Sequence, residues 1–252
     1  MNATELLSAL DLPAAARVDR RVPKTLLLEH GAPTAADKRR IGQGIERLTW
    51  VATLKPGTVG IAVYRDAARE VLEIAVLHLT LRPVAKLARL VELVHRAVPY
   101  PVVAVTEQGE TTHLSLAHKR WSQGEAGKTV LDDALVAVAW REDAETPHDR
   151  MFRAALALGR QPQATLQAVY HGWMDTATAL QAARRTGTFV SKAGAADLAE
   201  RRDALQECER LEAGIARLRA AASREKQVPR LVELNLELKR VEAARAAALA
   251  KL

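Results

Sequence analysis

The residues of this chain that are equipped for chemistry are scattered along it. The segment "GEAGKT" (Gly124, Gly127, Lys128, Thr129) has the lysine and hydroxyl of a phosphate-binding loop. That pattern also needs a glycine where Ser122 stands, and a helix after the threonine to aim backbone amides at phosphate. Here "VLDDALVAVAW" follows, which reads as a strand, so an ordinary hairpin loop is expected. A metal-dependent nuclease would set one acid on a strand and Glu-x-Lys on the next. Asp66 and Glu73 lie at suitable places, but Ile74 and Ala75 follow Glu73, and the lysine that helps position water is missing. A turn aspartate and a strand-edge glutamate are expected instead. His78, His95, His113 and His118 are dispersed, and His113 with His118 is not the i, i+4 pair of a helical zinc site. Ser115, His113 and Asp132 supply the residue types of a nucleophilic triad without a nucleophile elbow to present the serine. The single cysteine, Cys208, excludes an internal disulfide and any zinc cluster built from cysteines. Its helical neighbours make it a small apolar seam residue. No catalytic residue, metal site or cofactor is expected.

The basic groups are the better functional residues. Arg20, Arg21 and Lys24 share an extended segment around "RRVPK", Lys38, Arg39 and Arg40 begin a helix, and Lys119 and Arg120 end a strand beside Trp121. A formal charge of +7 favours a polyanionic neighbour, either nucleic acid or an acidic protein surface. Such groups suit phosphate contacts, which position a protein on a duplex without reading its sequence. They equally suit salt links to Asp19, Asp37 and Glu46. Aromatic residues make up only 4%, which argues against extensive base stacking.

These residues need elements to hold them. A chain of 252 residues with 48% hydrophobic and 27% charged residues can bury a core. Its longest apolar runs, such as "VLEIAVLHLTL", fall short of the roughly 20 residues of a membrane helix. The N-terminus carries acidic residues where a signal peptide needs positive charge, so a cytoplasmic protein without a membrane span is expected. A short helix around Leu6, Leu7 and Leu10 stops before Pro13, and Thr34 caps a helix in which Ile41, Ile45 and Leu48 recur. From Trp50 the period becomes that of strands: "WVATL", the turn "KPGT", "VGIAVYR" and "EVLEIAVLHLTLR". A helix "VAKLARLVELVHRAV" follows, then the strands "YPVVAVTE", "THLSLAHKRW" and "TVLDDALVAVAW". One crossover is long enough to join parallel strands. The expected fold is therefore α+β, with a mixed, mainly antiparallel sheet and helices on one side. Three regions are expected: an α+β domain over 1–147, a helical extension over 148–187, and a C-terminal helical hairpin over 195–252.

The tail is the most regular part. Leu231, Leu234, Leu238, Val241, Arg245, Ala248 and Leu252 step by 3 and 4, a heptad seam. Leu205, Cys208, Leu211, Ile215, Leu218 and Ala222 form a matching stripe upstream, and Pro229 falls between the two, where a second helix can begin without loss. A helix, a turn near "REKQVP" and a returning helix are expected. Lys226, Gln227, Arg230 and Asn235 fall at or near the tip of this arm and are the expected partner contacts.

The blocks "RRVPK", "IERLTWVATLKPGTVGI", "EIAVLHLTL", "AVPYPVVAV", "AHKRW" and "EKQVPRLVELNLELKRVE" resemble domain-of-unknown-function family 4391 over nearly the whole chain. Val228 and Pro229 stand where that family commonly has Phe and Asn. The resemblance carries no established activity. It implies genomic company with helicase-like ATPases and DNA methyltransferases in phage-defence or restriction islands. The expected function is a non-enzymatic accessory subunit docking to such a partner, with pairing of two hairpins in a homodimer left open. The competing readings are a metal-dependent nuclease whose carboxylates converge only on folding, and a stand-alone nucleic-acid-binding module.

Overall fold

Asn2 and Glu5 cap the first helix, α1 (Ala3–Ala9), reciprocally: each side chain accepts the other's backbone N–H. The computed structural model describes residues 1–125, 129–132, 135–141, 145–191 and 195–252, and it divides into two compact units, Met1–Ala177 and Thr178–Leu252.

In the first unit the chain runs through β1 (Arg17–Arg21), α2 (Lys24–His30), α3 (Ala35–Gly44), β2 (Ile45–Leu54), α4 (Pro56–Val59), β3 (Tyr64–Arg65), β4 (Glu70–Val71) and β5 (Ile74–Leu81). It continues through α5 (Leu87–Ala97), β6 (Val102–Gln108), β7 (Thr111–Leu116), β8 (Lys119–Trp121), β9 (Thr129–Leu131), β10 (Val136–Arg141) and α6 (Pro147–Ala155) to α7 (Leu166–Thr186), within which the unit boundary falls. Six strands form one sheet in the order β1-β2-β5-β6-β7-β10. Only β5 and β6 run parallel, because α5 supplies the one long crossover; the other pairs are antiparallel.

The sequence pattern predicts helices on one side of this sheet. In the structure Ile74, Ala75, Val76 and Leu77 are all at most 1% exposed. Successive strand side chains point to opposite faces, so burial at consecutive positions requires cover on both. α2, α3 and α5 contribute Leu27, Ile41, Leu90 and Leu93 to the face that carries Ala75, Leu77 and Leu79. The opposite face, with Ile74, Val76, Val103 and Val105, is equally buried, and α1 packs on β6 and against α6.

Three segments depart from the expected elements. The helix after Thr34 ends at Gly44, and Ile45 and Leu48 belong to β2. A Cβ on Gly44 would stand 2.6 Å from Leu90 Cδ1, so a side chain at the switch from helix to strand would have to push Leu90 of α5 aside. "KPGT" folds as the helical turn α4, closed by Thr58 Oγ1 donating to the Thr53 carbonyl and ended by Gly60 at φ +70°, and only Tyr64–Arg65 of "VGIAVYR" is strand. "TVLDDALVAVAW" is two strands in two sheets. Asp132 ends β9, its N–H bonded to the His118 carbonyl and its carboxylate held by Arg69 and Arg120.

Two buried polar contacts tie the layers together. Asp37, with a side chain only 1% exposed, accepts two hydrogen bonds from Arg89 of α5, at 3.0 and 2.8 Å, and others from Thr34 and Arg40. The Arg89 guanidinium holds the Asp37 carboxyl well below the usual carboxylate range. On α7, the Tyr170 hydroxyl accepts the Ala117 N–H at 2.8 Å and lies 2.9 Å from the Val102 carbonyl, to which it donates. Tyr170→Phe leaves both backbone groups buried without that partner. It is expected to cost about 1–3 kcal/mol in urea unfolding, with an unchanged denaturant slope.

Candidate docking surface

The second unit is built by heptad periodicity. α8 (Ala195–Ala222) and α9 (Val228–Leu249) pack together as an antiparallel hairpin. Pro229 sits in the first turn of α9, where no helical hydrogen bond is lost, and the Glu225 carboxylate accepts the N–H groups of Lys226 and Gln227 to close the turn. Cys208, Leu211 and Ala248 are buried, with Val241, Leu249 and Leu252 packed around them. Burial pushes the Cys208 thiol pKa up, which suits a packing role and opposes reactivity. Cover decreases toward the turn: Leu218, Ala222, Leu231, Leu234 and Leu238 are only half-buried.

α9 also carries a second apolar stripe, facing away from the seam. Val228, Val232 and Leu236 recur every four residues and are 70%, 52% and 54% exposed. Large apolar side chains in line on a helix whose first stripe is already paired form a face that remains unfilled. Ion pairs Arg219–Glu242 and Arg245–Glu212 join the two helices beside the seam. Lys226 and Gln227 are exposed at the turn, Arg230 pairs with Glu233, and Asn235 lies exposed two turns into α9.

The basic groups part company on folding. Lys38 and Arg39 are exposed on α3, whereas Arg40 is drawn to Asp37. Arg20 and Arg21 are exposed on the edge strand β1, and as neighbours on a strand they face opposite sides of the sheet. Lys24 donates to the Gly42 carbonyl and Arg82 to the Gln43 carbonyl, so both cations cap the C-terminal end of α3. Lys119 is buried and its amine donates to the carbonyls of Val98 and Tyr100 past the end of α5. Burial lowers its pKa to about 7. Arg120 is engaged by Asp132 and the Trp121 carbonyl. Lys119 is therefore withdrawn from the surface, and Arg120 already holds a carboxylate.

Among the described residues, the groups with candidate chemistry take other partners. The Asp66 carboxylate accepts the N–H groups of Ala68 and Arg69 and the Tyr64 hydroxyl, which makes it the closing residue of the β3–β4 turn. Burial, with the nearby Glu73 carboxylate, raises the Tyr100 hydroxyl's pKa. Among the described residues no three of His, Cys, Asp and Glu gather as a metal site, and no helix is long and apolar enough to cross a membrane. Gly127 and Lys128 of "GEAGKT" lie outside the described residues. Ser115 does meet a histidine, but it is His95, 3.0 Å away, not His113. Both are sealed in the core at 2% and 0% exposure, out of a substrate's reach.

One polar pair that sequence reasoning missed lies on the sheet itself. His78 of β5 and Glu107 of β6 meet at 2.9 Å on the sheet face opposite α5, in the C-terminal halves of the two parallel strands. Thr49 and Thr80 lie beside them in register. The available signal was polar residues interrupting otherwise apolar strands.

A family model described as "Domain of unknown function (DUF4391)" matches residues 10–244. No curated protein and no solved structure matches the chain.

Proposed function

We propose that this chain, which belongs to the family described as domain of unknown function DUF4391, is a non-enzymatic docking subunit whose α8–α9 hairpin is the arm that engages a partner protein. The observation that carries this reading is the stripe Val228, Val232 and Leu236, more than half exposed on a helix that already uses another face for its own hairpin. Exposed aliphatic residues at helical spacing suit packing against a partner helix, the groove mode of helix recognition. The polar residues at the turn, Lys226 and Gln227, frame the end of that stripe. The partner we assign is a helicase-like ATPase or DNA methyltransferase in a phage-defence or restriction-like complex, on the strength of the genomic company that the resemblance implies.

The test is co-expression of the full chain with each such protein encoded beside it. Wild type is expected to co-purify with one of them in fixed stoichiometry. The variant V228E/V232E/L236E is expected to lose the complex while keeping its helical circular dichroism and its elution volume. A complex that survives the triple substitution overturns the reading. So does a wild-type chain that elutes as a dimer and becomes a monomer on substitution, because the stripe would then serve a second copy.

The exposed cations support a second reading, a nucleic-acid-binding module using Arg20, Arg21, Lys38 and Arg39. Retention of duplex DNA by the purified chain, falling steeply between 50 and 200 mM salt, would favour it.

A further inference from the structure

The first unit contains an apolar pocket of about 150 Å³. Leu48, Trp50 and Leu77 form its sheet side, Leu27 of α2 and Ala97 at the end of α5 form its walls, and Tyr100 stands in the segment after α5. The interior residues Leu27, Leu48 and Leu77 are at most 3% exposed, so the pocket reaches the core. Leu26 at its rim is 46% exposed, and Trp50 and Tyr100 are half-buried.

We infer that this pocket receives a single large apolar side chain from an acidic segment of a partner protein, with Arg20 at its mouth meeting the acidic flank. Size excludes most alternatives. Cofactor and small-molecule sites typically span about 300–1,000 Å³, whereas interface hot spots are pockets that take one anchoring side chain.

The polar groups around the pocket point the same way. A small-molecule site needs a few convergent polar groups to orient its ligand. The Trp50 indole N–H already donates to the Ala52 carbonyl at 3.0 Å and to Thr53 Oγ1 at 2.8 Å. The Val98 and Tyr100 carbonyls accept from the Lys119 amine, and the Pro99 carbonyl accepts from Thr129 Oγ1. What the pocket offers is shape and apolar surface, which suits a side chain whose own backbone orients it.

Charge then selects the flank. Arg20 is the register partner of Trp50, so it shares the pocket's face of the sheet; it is exposed and enters no ion pair among the described residues. An acidic residue next to the anchor would pair with it. Addition of the partner as an extra strand along β1 is disfavoured, because Asp19 at φ +48° and the register shift between Arg17 and Arg20 break that edge.

The surface is separate from the hairpin stripe, and its test fails separately. The probe is a fluorescein-labelled synthetic peptide, Gly-Asp-Glu-Ser-Phe-Asp-Glu-Gly, titrated with the full chain at 50 mM salt and read by anisotropy. Replacing its Phe with Ala is expected to weaken binding by at least tenfold, the scale of an interface anchor. L26E, at an exposed rim position, is expected to weaken it similarly, and R20E is expected to shift preference to a peptide with Lys in place of Asp and Glu. V228E/V232E/L236E is expected to bind the peptide as wild type does, whatever becomes of the hairpin's partner. Absence of saturable binding up to millimolar chain, or binding equal for the Phe and Ala peptides, overturns the inference. So does indole alone displacing the peptide at equal concentration, which would make this a small-molecule site.

Discussion

Replacing Arg89 with methionine is expected to lower the melting temperature of the first unit by roughly 6–15 °C, the effect of taking from a buried charge its principal partner in a domain of this size. The expectation rests on an asymmetry within the pair. Arg89 is 34% exposed and tolerates loss of its charge, but the Asp37 side chain is 1% exposed and keeps only Thr34 and Arg40 as partners. The pH dependence identifies the cause. In wild type Asp37 has its pKa depressed, chiefly by the Arg89 hydrogen bonds, so its stabilising contribution is present above the unfolded aspartate value near 3.9 and is lost as pH falls through the folded value. In R89M the carboxyl, left with Thr34 and Arg40, loses the largest cause of that depression and takes up a proton more readily than in wild type. The gap between variant and wild type should therefore narrow on acidification from pH 7 to pH 4. A variant melting within 2 °C of wild type at pH 7 would show that Arg40 and Thr34 suffice.

Acid should also act on the chain well above the carboxylate range, through His95. Burial, reinforced by the nearby Lys119 amine, lowers its pKa to about 3, and its Nδ1 has no hydrogen-bond partner among the described residues. The unfolded chain binds a proton at this residue below about pH 6.5, while the folded chain stays neutral there until about pH 3. Stability is thus complete above pH 6.5 and falls as pH drops, by about 2 kcal/mol at pH 5 and on the order of 4 kcal/mol at pH 3.5. H95Q keeps a hydrogen-bonding group beside Ser115 without the titration. Urea unfolding at pH 7 and pH 5 should show wild type losing about 2 kcal/mol more than H95Q over that interval. Equal losses in the two proteins would mean that His95 becomes protonated in the folded state.

Both predictions depend on contacts that no local pattern announces. Asp37 and Arg89 are 52 residues apart, and His95 and Ser115 are 20 apart on different elements. The sequence presents Asp37 as a first-turn acid of a capped helix and His95 as one histidine among seven. The partner each finds is settled by the crossover of α5 onto the sheet. The same crossover ends α3 at Gly44, although Ile41, Ile45 and Leu48 keep a helical spacing across that point. It also removes Lys119 from the set of surface cations by bringing it to the carbonyls past its own end.

The hairpin was legible throughout. Spacings of 3 and 4 over six successive positions in each helix, with a proline between them, specify two amphipathic rods and a turn whatever else the chain does. The sheet was legible as alternating and apolar runs, and the single long crossover marked where two strands run parallel. Local periodicity therefore determined most of the elements and their order, and the residue blocks carried the family resemblance. Tertiary structure alone decided that helices cover both sheet faces, which cations stay free, and that a pocket opens beside Trp50. These outcomes follow from excluded volume and from the cost of desolvating charge, both of which act between residues distant in the chain.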